Sequence, residues 1–372
     1  MWSAVKSARR RADGGSRGLP VRGLPGLVAF LGLGLALALG LGLAGCGGAA
    51  AQGTATQTLT DTLTISAFSV VREPYDRAIL PAFTRWYRER TGTAVEVEAS
   101  YGASGAQSRA VVEGFEADVV VLSMADDVDR LRRAGLIRHD PEAGPYGGLV
   151  SHSVVAFAVR AGNPKGIHDW VDLTRDDVTV LTANPSTSGG AIWNIAALFG
   201  AATREPTRSL SGGAGPAELL RRVLRRVEIM DRSGRESVQT FERGMGDVVL
   251  TYENEILVGQ RTGQSYEQVT PRSTLRIDNP AALVDVYVDQ HGRRALAEAF
   301  LAFLQTPEAQ RAFASYGLRP VDEAVARETR DRVAPVADLF TMRDLGGFSK
   351  VKAQLFSPTG LYTRAIEEAH AR

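Results

Sequence analysis

The chain has a single cysteine, Cys46, among 372 residues. No disulfide can form within one molecule, and no thiolate cluster can hold a metal. Histidine is scarce as well: His139, His152, His168 and His291 are scattered, without the spacing of a zinc site. A basic surplus is missing. The formal net charge is only +1 and there is no basic tail, which argues against nucleic acid as a partner. Neither Ser104 nor Ser188 sits in a Gly-x-Ser-x-Gly elbow that would expose a nucleophile, and no histidine lies in their turns to act as a base. No catalytic residue, metal site or cofactor is expected. What remains is a globular chain long enough for two domains.

What is present starts with Lys6, Arg9, Arg10, Arg11, Arg17 and Arg22, ahead of an apolar run from Leu24 to Leu43 and then Ala44-Gly45-Cys46. A basic region, an apolar core and a small-residue cleavage site make a secretory signal. The Leu-Ala-Gly-Cys ending resembles a bacterial lipoprotein signal, which is cut before the cysteine and lipidated on it. Residues 1–45 are thus read as a lipoprotein signal peptide and Cys46 as a lipid anchor to the membrane. The alternative is a signal-anchor helix, since the run approaches membrane-spanning length. Loss of residues 1–45 removes six basic groups and one acidic, and turns the net charge to −4. Residues 46–60 are small and polar, a flexible tether. The rest is expected outside the cytoplasm.

Beyond the tether, strand and helix patterns alternate. Leu63 to Phe68 reads as a strand, Tyr75 to Thr91 as a helix ended by Gly92, and Val95 to Glu98 as a second strand. Ser108 to Phe115 reads as a helix, Ala117 to Leu122 as a buried strand, and Asp127 to Ala134 as a helix. This βα alternation predicts a parallel sheet with helices on both faces, whose ligand site lies at the carboxyl ends of the strands. Ser69, Ser104 and Ser123 fall there. A second unit follows a crossover strand at Ser153 to Val159. It has a helix near His168 to Leu173, a strand at Val178, a helix from Ala217 to Val227, a helix at Ser237 to Glu242 and a strand at Asp247 to Tyr252. Thr203 to Pro216 reads as a surface loop. Ala282 to Tyr287 reads as the return crossover, and Arg294 to Phe313 as one long helix.

The stretch Asn184-Pro185-Ser186-Thr187-Ser188-Gly189-Gly190-Ala191-Ile192-Trp193-Asn194 organises this second unit. It leaves the run Val178-Thr179-Val180-Leu181 and enters an apolar segment of helical period. Free N–H groups collect at such a helix start, and the helix dipole favours negative charge there. Glycines admit a close ligand and serine hydroxyls add donors, while no cation sits in the turn. The pattern predicts a small oxyanion held by neutral donors; the plainer reading is an ordinary capped helix.

Five motifs in order resemble the bacterial sulfate/thiosulfate-binding proteins that feed ABC importers. They are Ser100 to Gln107 (Ser-Tyr-Gly-Ala-Ser-Gly-Ala-Gln), Gly114 to Val120, Asn184-Pro185 with Ser188 to Asn194, Gly244 to Glu255, and Gly317 to Val321. The resemblance runs from about Leu63 to about Tyr362. It implies an α/β, two-lobed periplasmic-binding-protein fold of type II-like form, two doubly wound domains joined by hinge crossovers. Residues 61–150 and 285–372 would form a discontinuous first lobe and 151–284 the second. It further implies a monomer that holds sulfate or thiosulfate in the cleft and passes it to a permease. Carried over by position, Ser104 would donate from the first lobe and Ser188, Gly189 and Gly190 from the second. Gly234 would bring another backbone N–H. Ser69 stands where the family often has aspartate, and Tyr252 where many members have tryptophan. An indole N–H and a phenol O–H both donate, from different distances.

Sulfate offers only acceptors, so an all-donor pocket satisfies it. Phosphate keeps a proton at neutral pH and needs an acceptor, which the Ser/Gly turns lack. Each unmatched buried group would cost about 1–3 kcal/mol. Molybdate- or tungstate-binding relatives use a tyrosine at their anion, so they stay open as an alternative, as does phosphate; a serine hydrolase is the remote one. For Cys46→Ala the expected outcome is loss of incorporated radiolabelled lipid, and continued labelling of that variant would refute the anchor.

Overall fold

The computed structural model describes residues 60–333 and 335–370. The signal peptide, Cys46 and the tether as far as residue 59 lie outside the described residues. Strand β1 (Thr60–Phe68) buries Leu63, Ile65 and Ala67 on alternate positions, and pairs in parallel with β2 (Ala94–Gly102) and β3 (Val119–Val121). Between β1 and β2 a helical run starts at Ser69 and continues as α1 (Leu80–Thr91). It stops at Gly92, whose φ of 75° is the left-handed conformation that caps a helix without a Cβ penalty. Helix α2 (Ser104–Val112) follows β2, and α3 (Ala125–Arg133) follows β3.

The second unit opens on β4 (Leu149–Val159). It continues through β5 (Val180–Ala183), α4 (Gly189–Ala202), α5 (Pro216–Leu224), β6 (Val227–Asp231), α6 (Gly234–Glu242), β7 (Val248–Tyr252) and α7 (Glu253–Arg261). Strands β8 (Glu267–Val269) and β9 (Ser273–Leu283) lead back, followed by α8 (Arg294–Leu304), α9 (Pro307–Ser315), β10 (Asp338–Phe340), α10 (Phe348–Phe356) and α11 (Leu361–His370).

Among the described residues these strands join one ten-stranded sheet, in the order β2-β1-β3-β9-β4-β7-β5-β6, with β10 beside β9 and β8 beside β4. Its two ends, β2-β1-β3 and β7-β5-β6, are parallel. The long strands β4 and β9 run antiparallel through the middle and are shared. β9 gives Ala281–Leu283 to β3 and Arg276–Pro280 to β4, while β4 gives Val155–Val159 to β7. The fold is thus the expected α/β architecture of two lobes, each with a parallel sheet, joined where β4 and β9 cross.

Each lobe is packed on both faces, as parallel strands require. In β3, Val119 and Val121 join the main core while Val120 faces a second cluster with Leu122, Leu131 and Tyr287. In β7, Val248, Leu250 and Tyr252 face the main core, and Val249 faces Phe241 and Ile256. The carboxyl ends of β1, β2, β3, β5, β6 and β7 therefore deliver Ser69, Ser104, Ser123, Ser188, Gly234 and Tyr252 to the turns.

Several elements differ from the sequence reading, each for a local reason. The helix expected over Arg294 to Phe313 is two, because Pro307 has no N–H to continue α8 and instead starts α9, whose first turn the Thr306 hydroxyl caps through Ala309 N–H. The helix expected to run to Val227 stops at Leu224, and Val227–Asp231 becomes an edge strand too exposed to show clean alternation. The surface loop expected from Thr203 to Pro216 holds a short helix, Glu205–Leu210. The return strand expected to reach Tyr287 ends at Leu283, and Asp285–Gln290 is helical. The helix expected from Ser108 begins at Ser104, which makes that serine part of a helix N-terminus.

Phe83 on α1 is fully buried among Trp86, Tyr87, Phe300 and Phe303, with ring centroids 4.9 Å from Phe300 and 5.6 Å from Phe303. Phe83→Ala is expected to destabilise the fold by about 3–5 kcal/mol, read as a lower urea midpoint at unchanged slope.

Candidate functional site

The site is best built outward from Gly189, the first residue of α4. A Cβ placed on Gly189 would lie 2.0 Å from Ser123 Oγ and 3.4 Å from Ser104 Cβ. On Gly190 it would lie 2.9 Å from the Tyr252 ring and 3.3 Å from Ser188 Oγ. A side chain at either position would displace a neighbour, so the turn's backbone comes close to the opposite lobe at Gly189 and to Tyr252 of its own lobe at Gly190. Ser104, Ser188, Gly189, Gly190 and Tyr252 are thereby brought together as expected. Gly234 opens α6 and lies against Val70, 3.5 Å from its Cβ position to Val70 Cγ2, so it meets the turn that holds Ser69. Ser69 itself is half-buried, and its neighbour Phe68 packs on Tyr252 with centroids 5.9 Å apart.

Two hydroxyls at this junction, Ser123 Oγ and Tyr252 Oη, are buried beside one another and have no partner beyond that pair. A buried hydroxyl left unmatched costs about 1–3 kcal/mol. Burial pushes the Tyr252 phenol well above its ordinary value, an effect that the neighbouring Ser123 hydroxyl opposes. Tyr252 therefore stays protonated, as a donor, across the physiological range. Both hydroxyls face the start of a fourteen-residue helix, where N–H groups and the dipole favour an anion.

Ser104 is held rather than free. Its hydroxyl donates to Asp127 Oδ2 at 2.6 Å and accepts from Ser123 N–H at 3.0 Å. Asp127 is buried, and its other oxygen takes Arg130 at 2.8 Å. Each oxygen of this carboxylate beside the turns thus already accepts a hydrogen bond. Glu253, close by in sequence, is turned away into a pair with Arg319 at 2.8 Å. Among the described residues no hydrogen bond joins Ser104 or Ser188 to a histidine, and no group of acidic, histidine or cysteine side chains could hold a metal ion.

Ser123 is the functional candidate that sequence reasoning left out of the site. It ends a three-residue strand and carries no motif of its own; only its place at a strand's carboxyl end marked it. Trp193 fixes it from the other lobe, its ring N–H donating to Ser123 O at 2.6 Å. Asn194 has a structural part, donating to Thr182 Oγ1 and Leu250 O. The largest cavity, about 740 Å³, runs past Met124 and Trp193 but contains none of the seven expected site residues. A smaller one of about 350 Å³ opens directly onto Ser188 and Gly189.

With this geometry in view, the chain compares closely with known proteins. The family of bacterial extracellular solute-binding proteins matches residues 64–319. The sulfate-binding protein of Synechococcus elongatus is 38% identical over 314 residues, covering 83% of this chain and 88% of that one. The thiosulfate-binding protein of Escherichia coli K12 is 33% identical over 302 residues, covering 79% and 88%. Among solved structures, the sulfate-binding protein SubI from Mycobacterium tuberculosis H37Rv superposes with a TM-score of 0.72 at 38% identity, over 80% of this chain and all of that one.

The first turn of α7, just beyond Tyr252, holds a further buried charge. Glu255 is fully buried and lies 3.2 Å from Arg235, which also pairs with Glu73 of the first lobe. Burial pushes the Glu255 carboxyl up to about 8, against the pull of Arg235 and with a smaller push from Glu73 and Glu242. The native state then keeps a proton that the unfolded chain has released, so this group's contribution is full below the ordinary glutamate value and is lost as pH rises towards 8. Glu255→Gln should flatten the fall of melting temperature between about pH 5 and 8; a variant whose profile keeps the wild-type slope would contradict a raised carboxyl.

Proposed function

Because the chain belongs to the bacterial extracellular solute-binding proteins, in the sulfate- and thiosulfate-binding group, we propose that it captures sulfate, or thiosulfate, between its lobes and delivers it to an ABC importer. The first lobe comprises residues 61–150 with 285–372 and the second 151–284, hinged where β4 and β9 cross. The protein works outside the cytoplasm as a monomer, tethered through lipid on Cys46 by residues 46–60. It binds and releases its ligand without chemical turnover.

The observation that carries this reading is the pair of buried hydroxyls, Ser123 Oγ and Tyr252 Oη, which have no partner beyond one another and face the Gly189-Gly190 helix start. They form a donor set that lacks an acceptor. A dianion with four acceptor oxygens and no proton complements it. Ser188, Gly189 and Gly190 donate from one lobe, the Ser69 turn and Ser104 from the other, Ser104 through its backbone N–H because its hydroxyl is given to Asp127, and Gly234 N–H closes the side near Val70. Cleft closure follows from donors of both lobes meeting on one ligand. A monoprotonated phosphate is disfavoured, since each oxygen of Asp127 already accepts a bond and an unmatched group costs about 1–3 kcal/mol.

Isothermal titration with sulfate, thiosulfate, molybdate and phosphate tests this directly. Sulfate or thiosulfate should bind tightest, and Tyr252→Phe should weaken that binding by about tenfold, the loss of one buried donor. Preference for molybdate would reassign the ligand, and an unchanged Tyr252→Phe affinity would remove the phenol from the site.

A further inference from the structure

The cavity of about 350 Å³ that opens onto Ser188 and Gly189 is more than a passage. Its inner wall is made by the two Ser/Gly turns, through Gly105 and Thr187 to Gly189, and its outer wall by the C-terminal helices, through Lys352, Phe356 and Tyr362. Three cations reach it. Arg130 is neutralised by Asp127 at 2.8 Å, and Lys352 by Asp126 at 2.9 Å. Arg109 differs from both. It is half-buried on α2, and among the described residues its guanidinium makes no ion pair and no hydrogen bond. Its Nη1 lies 3.5 Å from the Cβ position of Gly105, a spot that is itself 3.1 Å from Thr187 O. The free charge therefore stands at the seam of the two turns.

Without residues 1–45 the chain carries −4 and repels a dianion at long range, and the neutral inner donors act only at contact. Collection must then be local, and Arg109 is the one wall cation with no direct ion pair or hydrogen bond among the described residues, the nearby Asp127 Oδ1, 3.7 Å from the same Gly105 Cβ position, being taken by Arg130. We propose that this vestibule is an outer subsite for tetrahedral dianions, in which Arg109 holds the ligand transiently before it passes to the Ser188 turn. The proposal rests on the anion reading given above. It assigns the cationic and the neutral halves of the task to different places. The outer site attracts through charge and lets go readily; the inner one discriminates through its pattern of donors.

The test is stopped-flow binding of sulfate to the purified protein, followed by tryptophan fluorescence, for wild type, Arg109→Gln and Arg109→Lys. At low ionic strength Arg109→Gln should bind about tenfold more slowly, with a slower release as well, so that Kd shifts less than the association rate. Arg109→Lys should restore most of the rate. The gap should close near 1 M salt, where screening acts within about 3 Å. An association rate unaffected by Arg109→Gln, or a deficit that persists at high salt, would overturn the subsite while leaving the inner site in place. A loss confined to a faster release would also overturn it, because Arg109 would then contact the ligand in its final position. Wild-type protein that binds no sulfate in the titration would bring down both readings, and thus separates the two failures.

Discussion

The structure depends on one constraint: a short turn of backbone must come within van der Waals reach of the opposite lobe. Gly189 meets it, since a side chain there would collide with Ser123, and Gly190 keeps the turn flat against Tyr252 of its own lobe. Everything around the turn serves that approach. The parallel strands end in register so that their carboxyl ends share one cleft. Trp193, one turn into α4, fastens the far wall by its bond to Ser123 O. The glycines thus do two things at once: they expose N–H groups and bring them to the buried hydroxyls that complete the donor set.

Much of this was legible in the sequence, because it is written locally. A β-branched run, a Ser-Gly-Gly turn and an apolar segment of helical period mark a strand, an anion-prone turn and a helix without reference to anything distant. The same holds for the βα alternation that sets the fold. Ser123 shows where such reading ends. Its three-residue strand has no signature, and its importance comes from Trp193, which lies 70 positions later. Asp127 is similar: nothing local says that its carboxylate will take the Ser104 hydroxyl. Strand β6 was hidden because an edge strand is half-exposed and loses its alternation, whereas the break at Pro307 is a matter of plain backbone chemistry.

The charges around the cleft are arranged by distance from it. At the donor turns themselves no cation enters, and Asp127 is compensated by Arg130. One layer out, Arg109, Lys352 and Asp126 line the vestibule. On the opposite edge Arg235 joins Glu73 of the first lobe to Glu255 of the second, beside Gly234. Neutral dipoles at the centre with ions around them let selectivity come from the geometry of hydrogen bonds. Lys352 and Tyr362 also tie the C-terminal helices to both sides, the first to Asp126 and the second to Met230.

The shared strands β4 and β9 bear on how the chain comes to be folded at all. Val119 of β3 pairs with Leu283 of β9, so the first sheet is completed only by a segment made long after its other strands. Contacts so distant in sequence form late, because a long loop must close before they are rewarded. Until β9 is made, the first sheet lacks the neighbour of β3, and that edge cannot close. A chain that must cross a membrane as a thread before it folds gains time from such a topology.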